Sequence, residues 1–464
     1  MKNEDTITAI ATPAGSGAIA LLRLSGNKAF AITEALFKKS NGNKLSIEQT
    51  ESHTIHHGYI YEDEQAIDEV LVYLFKNPHS YTGEDIVEIS CHGSTFVQQK
   101  LLNIFIKRGA RLAEPGEFTL RAFLNGKLDL SQAEAVADVI ASNSEKSHEI
   151  AIQQMRGAFS NELKSLREQL IHFASMIELE LDFSEEDVEF ANRKQLMLLL
   201  NQIEQKLNLL SESFHSGNVL KNGILTVIAG KPNAGKSTLL NTLVQDNRAI
   251  VSDIAGTTRD TIEEEWVLDG IRFRFIDTAG IREATDVIES MGVERTLEKI
   301  SSAPIILYLF DPSELSVKDL KLELDKIKEN HKKSHPYIIT IINKIDKYTE
   351  KEPLSEYSEI ENLISISALK QTNIDELKNK LKAYIEKLNL EQSDTVVSNV
   401  RHYEALQNAL DGINETKRGL DNNLSSDLLA TNIRDALHYL GEITGEVTTD
   451  DLLDNIFSKF CIGK

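Results

Sequence analysis

A glycine-rich loop set between an apolar run and a helical pattern constrains this chain more than any other feature. The loop reads Gly230-Lys231-Pro232-Asn233-Ala234-Gly235-Lys236-Ser237. Ile224-Leu225-Thr226-Val227-Ile228-Ala229 precedes it and Thr238-Leu239-Leu240-Asn241-Thr242-Leu243 follows it. Strand, loop and helix in that order point to a parallel sheet, because parallel neighbours need a crossover helix between them. In that context the spacing G-x-x-x-x-G-K-[ST] makes a phosphate cradle. Backbone N–H groups of the loop and of the helix start, through Thr238, face the phosphate oxygens. Lys236 neutralises the β- and γ-phosphates, and the Ser237 hydroxyl ligates Mg²⁺.

The base is read farther along. Asn343-Lys344-Ile345-Asp346 follows a buried-strand pattern, Tyr337-Ile338-Ile339-Thr340-Ile341-Ile342. A carboxylate at Asp346 accepts from guanine N1–H and the exocyclic amine, a donor pair that adenine lacks. Rejecting an analogue that leaves buried polar groups unpaired is strong discrimination. Ser367-Ala368-Leu369 resembles the last guanine-contacting loop of GTPases. Between them, Asp277-Thr278-Ala279-Gly280 follows the strand Arg272–Ile276, its Asp in the Mg²⁺ shell and its Gly N–H beside the γ-phosphate. Together these elements predict GTP binding.

The stretch from Ser252-Asp253-Ile254-Ala255-Gly256 through Thr257-Thr258 is the expected first switch, with Thr258 as second Mg²⁺ ligand. Oxygen ligands beside the phosphates, Asn233 among them, can hold a monovalent cation where an arginine finger otherwise acts; a plain turn role suits Asn233 equally well. In Ras-like GTPases a glutamine follows the DxxG element and orients the attacking water. Ile281 stands at that place and can do neither this nor proton transfer. Arg282, Glu283, Asp286 and Glu289 follow, and the residues alone do not select among them.

A chain of 464 residues exceeds one core and suggests about three domains. Residues 1–125 mix short strands, such as 18–24 and 85–90, with glycine turns and read as an α+β domain. Residues 126–221 carry helical spacing, 222–387 alternate strands and helices, and 388–464 return to helix. The expected architecture is multidomain α/β: an N-terminal α+β domain, a discontinuous all-α domain, and a P-loop α/β domain inserted into it. A net charge of −22 argues against indiscriminate nucleic-acid binding. Two cysteines, Cys91 and Cys461, give no disulfide framework and fit a cytoplasmic protein. No apolar stretch approaches the roughly 18 residues of a membrane span. The acidic run from Glu178 to Glu189 reads as a solvated helix end, since no histidine or cysteine joins it.

The whole chain resembles the MnmE (TrmE) family of tRNA modification GTPases. The resemblance is carried by Gly230–Ser237, Gly256-Thr257-Thr258-Arg259-Asp260, Asp277–Gly280, Tyr81-Thr82-Gly83-Glu84-Asp85, Pro115-Gly116-Glu117-Phe118-Thr119, Arg121–Lys127 and Cys461-Ile462-Gly463-Lys464. It implies a Ras-like inserted domain and an N-terminal domain like the folate-binding domains of one-carbon enzymes. Homodimers, a heterotetramer with the flavoprotein MnmG (GidA), and a tRNA substrate are implied. So are 5,10-methylene-tetrahydrofolate, for which 5-formyl-tetrahydrofolate is an analogue, and K⁺-driven pairing of GTPase domains. By matching positions, Asn233, Ser252, Ile254 and Thr257 surround K⁺, Ser237 and Thr258 hold Mg²⁺, and Glu289 is the catalytic glutamate. Arg23, Glu88, Lys127 and Lys464 fall at folate-binding positions. Cys461 reads as structural or interfacial before it reads as a nucleophile. The competing reading is a ribosome-assembly switch, which would carry a basic RNA-binding module with a GXXG loop; the C-terminal part has neither.

Overall fold

The computed structural model describes residues 5–47, 49–182, 192–245, 263–277, 303–330, 336–348, 356–388, 396–422 and 424–464. The chain forms two units. Met1–Ile140, Gln153–Glu204 and Ala405–Lys464 make one; Ala141–Ile152 and Gln205–Glu404 make the other.

In the first unit, β1 (Thr6–Ile10), β2 (Ile19–Ser25), β3 (Phe37–Lys39), β4 (Thr54–Glu62), β5 (Gln65–Phe75), β6 (Ile86–His92) and β7 (Ala110–Leu112) form one sheet. Their order is β3-β4-β5-β6-β2-β1-β7. Only the β1–β7 pair is parallel. One face is apolar. Leu22, Leu24, Val72, Leu74, Val87 and Ile89 pack against Ile32 and Leu36 of helix Ala29–Leu36 and Leu101, Ile104 and Phe105 of helix Thr95–Lys107. Because side chains alternate along a strand, the residues between these project from the opposite face. The β2–β6 register sets Arg23 directly opposite Glu88 there. A one-residue slip would turn over the strand that slips and drive one of the two charges into the core, so the apolar face fixes the register that makes the pair.

The helical part of this unit buries Leu130 and Ala133, of helix Leu130–Ala141, against Leu453, Ile456 and Phe457 of helix Asp450–Phe457 and Phe460 beyond it. The acidic run departs from its expectation at Glu180, which is buried, while Glu178 stays at the solvent in a surface ion pair. Glu180 is buried and accepts from Arg193 at 2.5 Å and from Ser426, while Glu178 accepts twice from Arg434. Arg193, at the start of the next helix, and Ser426 satisfy the buried Glu180 carboxylate. Glu185, Glu186, Asp187 and Glu189 lie outside the described residues.

In the second unit, β8 (Ile224–Gly230), β9 (Glu263–Leu268), β10 (Ile271–Asp277), β11 (Ile305–Phe310), β12 (Tyr337–Ile342) and β13 (Leu363–Ser365) run in the order β13-β12-β11-β8-β10-β9. All pairs are parallel except the edge hairpin β9–β10. This is the doubly wound sheet that the glycine loop demanded. Strand order reverses at β8, with β10 on one side and β11 on the other, and ligands of such sheets bind beyond the carboxyl ends at that switch. β11 is buried at all six positions, as a central parallel strand should be. Trp266, the one tryptophan of the chain, packs in this core beside Phe273 and Phe275.

Candidate functional site

The carboxyl ends of β8, β10, β12 and β13 lie at one end of the second sheet, and the predicted nucleotide motifs follow those strands. Helix Lys236–Gln245 starts at the glycine loop. Gly235 has φ +96°, and a Cβ there would come within 2.2 Å of Asn343 Nδ2. The loop therefore has room for backbone alone where the two motifs meet. Asn343 fastens them. Its Nδ2 donates to the Ala234 carbonyl (2.8 Å), and its Oδ1 accepts from the Ala368 N–H (3.0 Å). Thr242 adds a hydroxyl bond to the Ala368 carbonyl (3.0 Å). Ser367 donates to Asp346 Oδ1 (2.5 Å) and accepts from the Lys370 N–H, which orients the carboxylate expected to read guanine. Leu369 is exposed beside this loop.

Lys236 is buried, and its ammonium donates to the Gly230 and Lys231 carbonyls (3.1 and 3.0 Å). Its own loop thus holds the cation over the cradle. Asn233 has a left-handed backbone (φ +63°), and Asn233, Ser237 and Thr238 are exposed. Asp277 ends β10 opposite Ile228. Ser252, Asp253, Ile254, Ala255, Gly256, Thr257, Thr258, Thr278, Ala279, Gly280 and Glu289 lie outside the described residues.

Sequence reasoning gave no role to Asp311, the residue that follows β11. It is 3% exposed and sits 3.1 Å from the Lys344 ammonium. Burial alone would raise its carboxyl. Hydrogen bonds from Tyr348, from the Ser313 hydroxyl and N–H, and from Lys344 outweigh that and hold it at about 2. The available signal was a lone carboxylate at the end of a fully apolar strand.

The first unit carries a second group of predicted residues. Arg23 Nε donates to Glu88 at 2.7 Å and its Nη2 lies 2.6 Å from the same oxygen, while Nη1 donates to the Gly463 carbonyl (3.3 Å). The guanidinium centre is 5.4 Å from both the Tyr81 and the Phe118 ring centroids. Tyr81 is fixed in turn by a 2.8 Å bond to Thr119. The C-terminal tetrapeptide reaches this place by pairing with the segment before helix Glu117–Leu124. Pro115 bridges Ile462, and the Gly116 and Phe118 N–H groups donate to Cys461 and Lys464. A Cβ on Gly463 (φ +99°) would come within 2.6 Å of the Ile10 carbonyl, so the tail can lie this close only with glycine there. Burial lowers the pKa of Lys464, and Arg23 lowers it further against the pull of Glu88. Arg23, Glu88 and Lys464 are thus brought together. Lys127 is engaged elsewhere, its ammonium donating to the Pro78 carbonyl (3.0 Å). Tyr81 and Phe118, each within a stretch that carries the family resemblance, flank Arg23 in a way that sequence spacing does not reveal. Cys461 is exposed, and Cys91 is buried.

Two family models match the chain. A family model described as "GTP-binding protein TrmE N-terminus" matches residues 6–127, and one described as "MnmE helical domain" matches residues 130–461. The chain is 54% identical over 462 residues to a protein of Flavobacterium psychrophilum named "tRNA modification GTPase MnmE", covering 99% of each. Proteins of the same name from Bacteroides fragilis and Parabacteroides distasonis are 52% and 47% identical, each comparison covering at least 99% of both chains. A solved chain of Aquifex aeolicus Era bound to GDP.AlF4⁻ is 28% identical, with 40% of this chain and 66% of that one covered at a TM-score of 0.26. No helix among the described residues is long and apolar enough to cross a membrane. On its matched length, its identity to these relatives and its assembled nucleotide motifs, the chain belongs to the MnmE family of tRNA modification GTPases.

Proposed function

We propose that this GTPase acts with the flavoprotein MnmG (GidA) on carbon 5 of the wobble uridine, position 34, of certain tRNAs. The products are aminomethyl- or carboxymethylaminomethyluridine, and methylene-tetrahydrofolate is the carbon source. The observation that supports this best is that one chain carries both a guanine-nucleotide cradle and the Arg23–Glu88–Lys464 cluster, over a length matched end to end by proteins named tRNA modification GTPases.

The residues suit the groups they would hold. The glycine loop packs against Asn343 with room for backbone alone, and a buried ammonium stands beside it. Two cations beside one carboxylate, flanked by two aromatic rings, suit the folate carboxylates and the pterin N–H donors. Ser237 and Thr258 would hold Mg²⁺, which when bound neutralises charge on the phosphates. Asn233, Ser252, Ile254 and Thr257 would surround K⁺. Lys236 then releases its loop carbonyls for the β- and γ-phosphates, Asp346 accepts from guanine, and Glu289, acting through a water, activates the attacking water. Arg23, Glu88, Lys464 and, after leaving Pro78, Lys127 would bind the folate. The proposed layout is residues 1–125 for folate binding and dimerisation, 126–221 and 388–464 for the helical domain, and 222–387 for the GTPase domain, in a cytoplasmic heterotetramer with MnmG.

Reconstitution with the flavoprotein, methylene-tetrahydrofolate, GTP and unmodified tRNA tests this by mass analysis of the released nucleosides. Modified uridine is expected in potassium and is expected to be lost in sodium or with Glu289→Ala. GTP turnover without any modified uridine would overturn the tRNA assignment. Equal product in both salts would overturn the K⁺ assignment alone.

A further inference from the structure

Asp311 receives four donors on one buried carboxylate. They are the Lys344 ammonium (3.1 Å), the Ser313 hydroxyl (2.8 Å), the Ser313 N–H (3.1 Å) and the Tyr348 hydroxyl. Tyr348 also accepts from the Ser313 N–H (3.2 Å), so carboxylate, serine and tyrosine form a closed set around the lysine. Lys344 itself stands in the left-handed region (φ +66°), where a non-glycine residue is strained, and caps the short 3-10 turn Ile345–Lys347. A strained backbone and a tethered ammonium together fix both ends of the lysine side chain. The tether spans from the loop that carries Asn343 and Asp346 to the end of β11.

We propose that Asp311, steadied by Ser313 and Tyr348, is a positioning residue that holds Lys344 taut as a wall of the guanine pocket and so sets how long guanine nucleotide stays bound. The inference rests on the reading of this loop as the base site. A free lysine has a flexible four-carbon stem, and ordering it when nucleotide enters would weaken binding. Tethered at Asp311, the stem is already ordered. The carboxylate stays ionised throughout the working pH range because its donors favour the charged form. Tyr348 acts on the carboxylate and through it on Lys344.

The test is release of N-methylanthraniloyl-GDP from the full chain, followed by fluorescence after addition of excess GDP. Asp311→Asn should speed release roughly tenfold, the weight of a charge-assisted bond replaced by a neutral one. Tyr348→Phe should speed it about twofold, in line with loss of one neutral hydrogen bond that acts indirectly. Lys344→Met should speed release at least as much as Asp311→Asn, and adding Asp311→Asn to Lys344→Met should change nothing further. That non-additivity separates positioning from general loosening of the fold. Parental release rates in both Asp311→Asn and Tyr348→Phe, or an undiminished Asp311→Asn effect in the Lys344→Met background, would overturn the proposal. If Asp311→Asn does not fold, Tyr348→Phe in the two Lys344 backgrounds decides by the same criterion. Parental release from Lys344→Met would likewise overturn the proposal, whereas parental release from Asp346→Ala would overturn the reading of the loop as the base site.

Discussion

Replacing Asn343 by alanine removes the bolt between the phosphate loop and the base loop. Two main-chain groups lose their partners: the Ala234 carbonyl and the Ala368 N–H, both in residues about 1% exposed. A buried polar group left unsatisfied costs about 1–3 kcal/mol, so the pair predicts a loss of roughly 2–4 kcal/mol after partial entry of water. The measurement is urea unfolding of nucleotide-free protein, so that ligand linkage does not enter. The sole tryptophan, Trp266, lies in the core of the second unit, so its fluorescence reports that unit. With a slope of roughly 2 kcal/mol per molar urea, the midpoint should fall by about 1–2 M. A midpoint within about 0.2 M of the parent would refute the assignment of Asn343 as a structural link. The residue would then serve the nucleotide alone.

Acid should act on the same unit through Asp311. Its folded carboxyl is held at about 2 against an ordinary 3.8, so its contribution is present above pH 4 and is lost as pH falls through 3.8 towards 2. The shift corresponds to about 2 kcal/mol, and the fall in stability read by Trp266 fluorescence between pH 4 and 2 should be shallower in Asp311→Asn. In the first unit, Tyr81→Leu removes one of two rings flanking Arg23 and should weaken binding of 5-formyl-tetrahydrofolate roughly tenfold by titration calorimetry, since a partly desolvated cation–ring contact contributes about 1–2 kcal/mol. Tyr81→Phe keeps the ring and should retain most of the affinity. Equal affinity in Tyr81→Leu and the parent would show that the ring does not support the cation.

Local sequence carried the second unit well because its signals are local. The run Ile224–Ala229, the glycine loop and the run Tyr337–Ile342 sit where β8, the phosphate loop and β12 are. Strands β4 and β5 were not legible. Their outer positions hold His57, Glu69 and other polar residues, and their two-residue turn is Asp63-Glu64, both at positive φ, where Asn-Gly would have announced a hairpin. Partnerships far apart in sequence were equally hidden. Nothing beside Asp311 announces Lys344, and nothing beside Glu178 announces Arg434. Lys127 shows a different limit, since matching a motif places a backbone position and leaves the direction of a long side chain to its hydrogen bonds.

The bond between Arg23 and Gly463 joins residues 440 positions apart. At a synthesis rate of about 5–20 residues per second, Arg23 leaves the ribosome roughly 20–90 s before Gly463 is made. During that interval Glu88, which follows 65 residues later, and the Tyr81 and Phe118 rings are the partners already made. The intervening GTPase sheet, by contrast, has all its strands within residues 224–365 and can close while the tail is still being translated. The two candidate sites therefore mature at different times. The nucleotide cradle is built from one continuous stretch of chain, whereas the Arg23 cluster is complete only once residues 461–464 have been made and lie beside Pro115, so the first site waits on a segment synthesised long after the second site's strands.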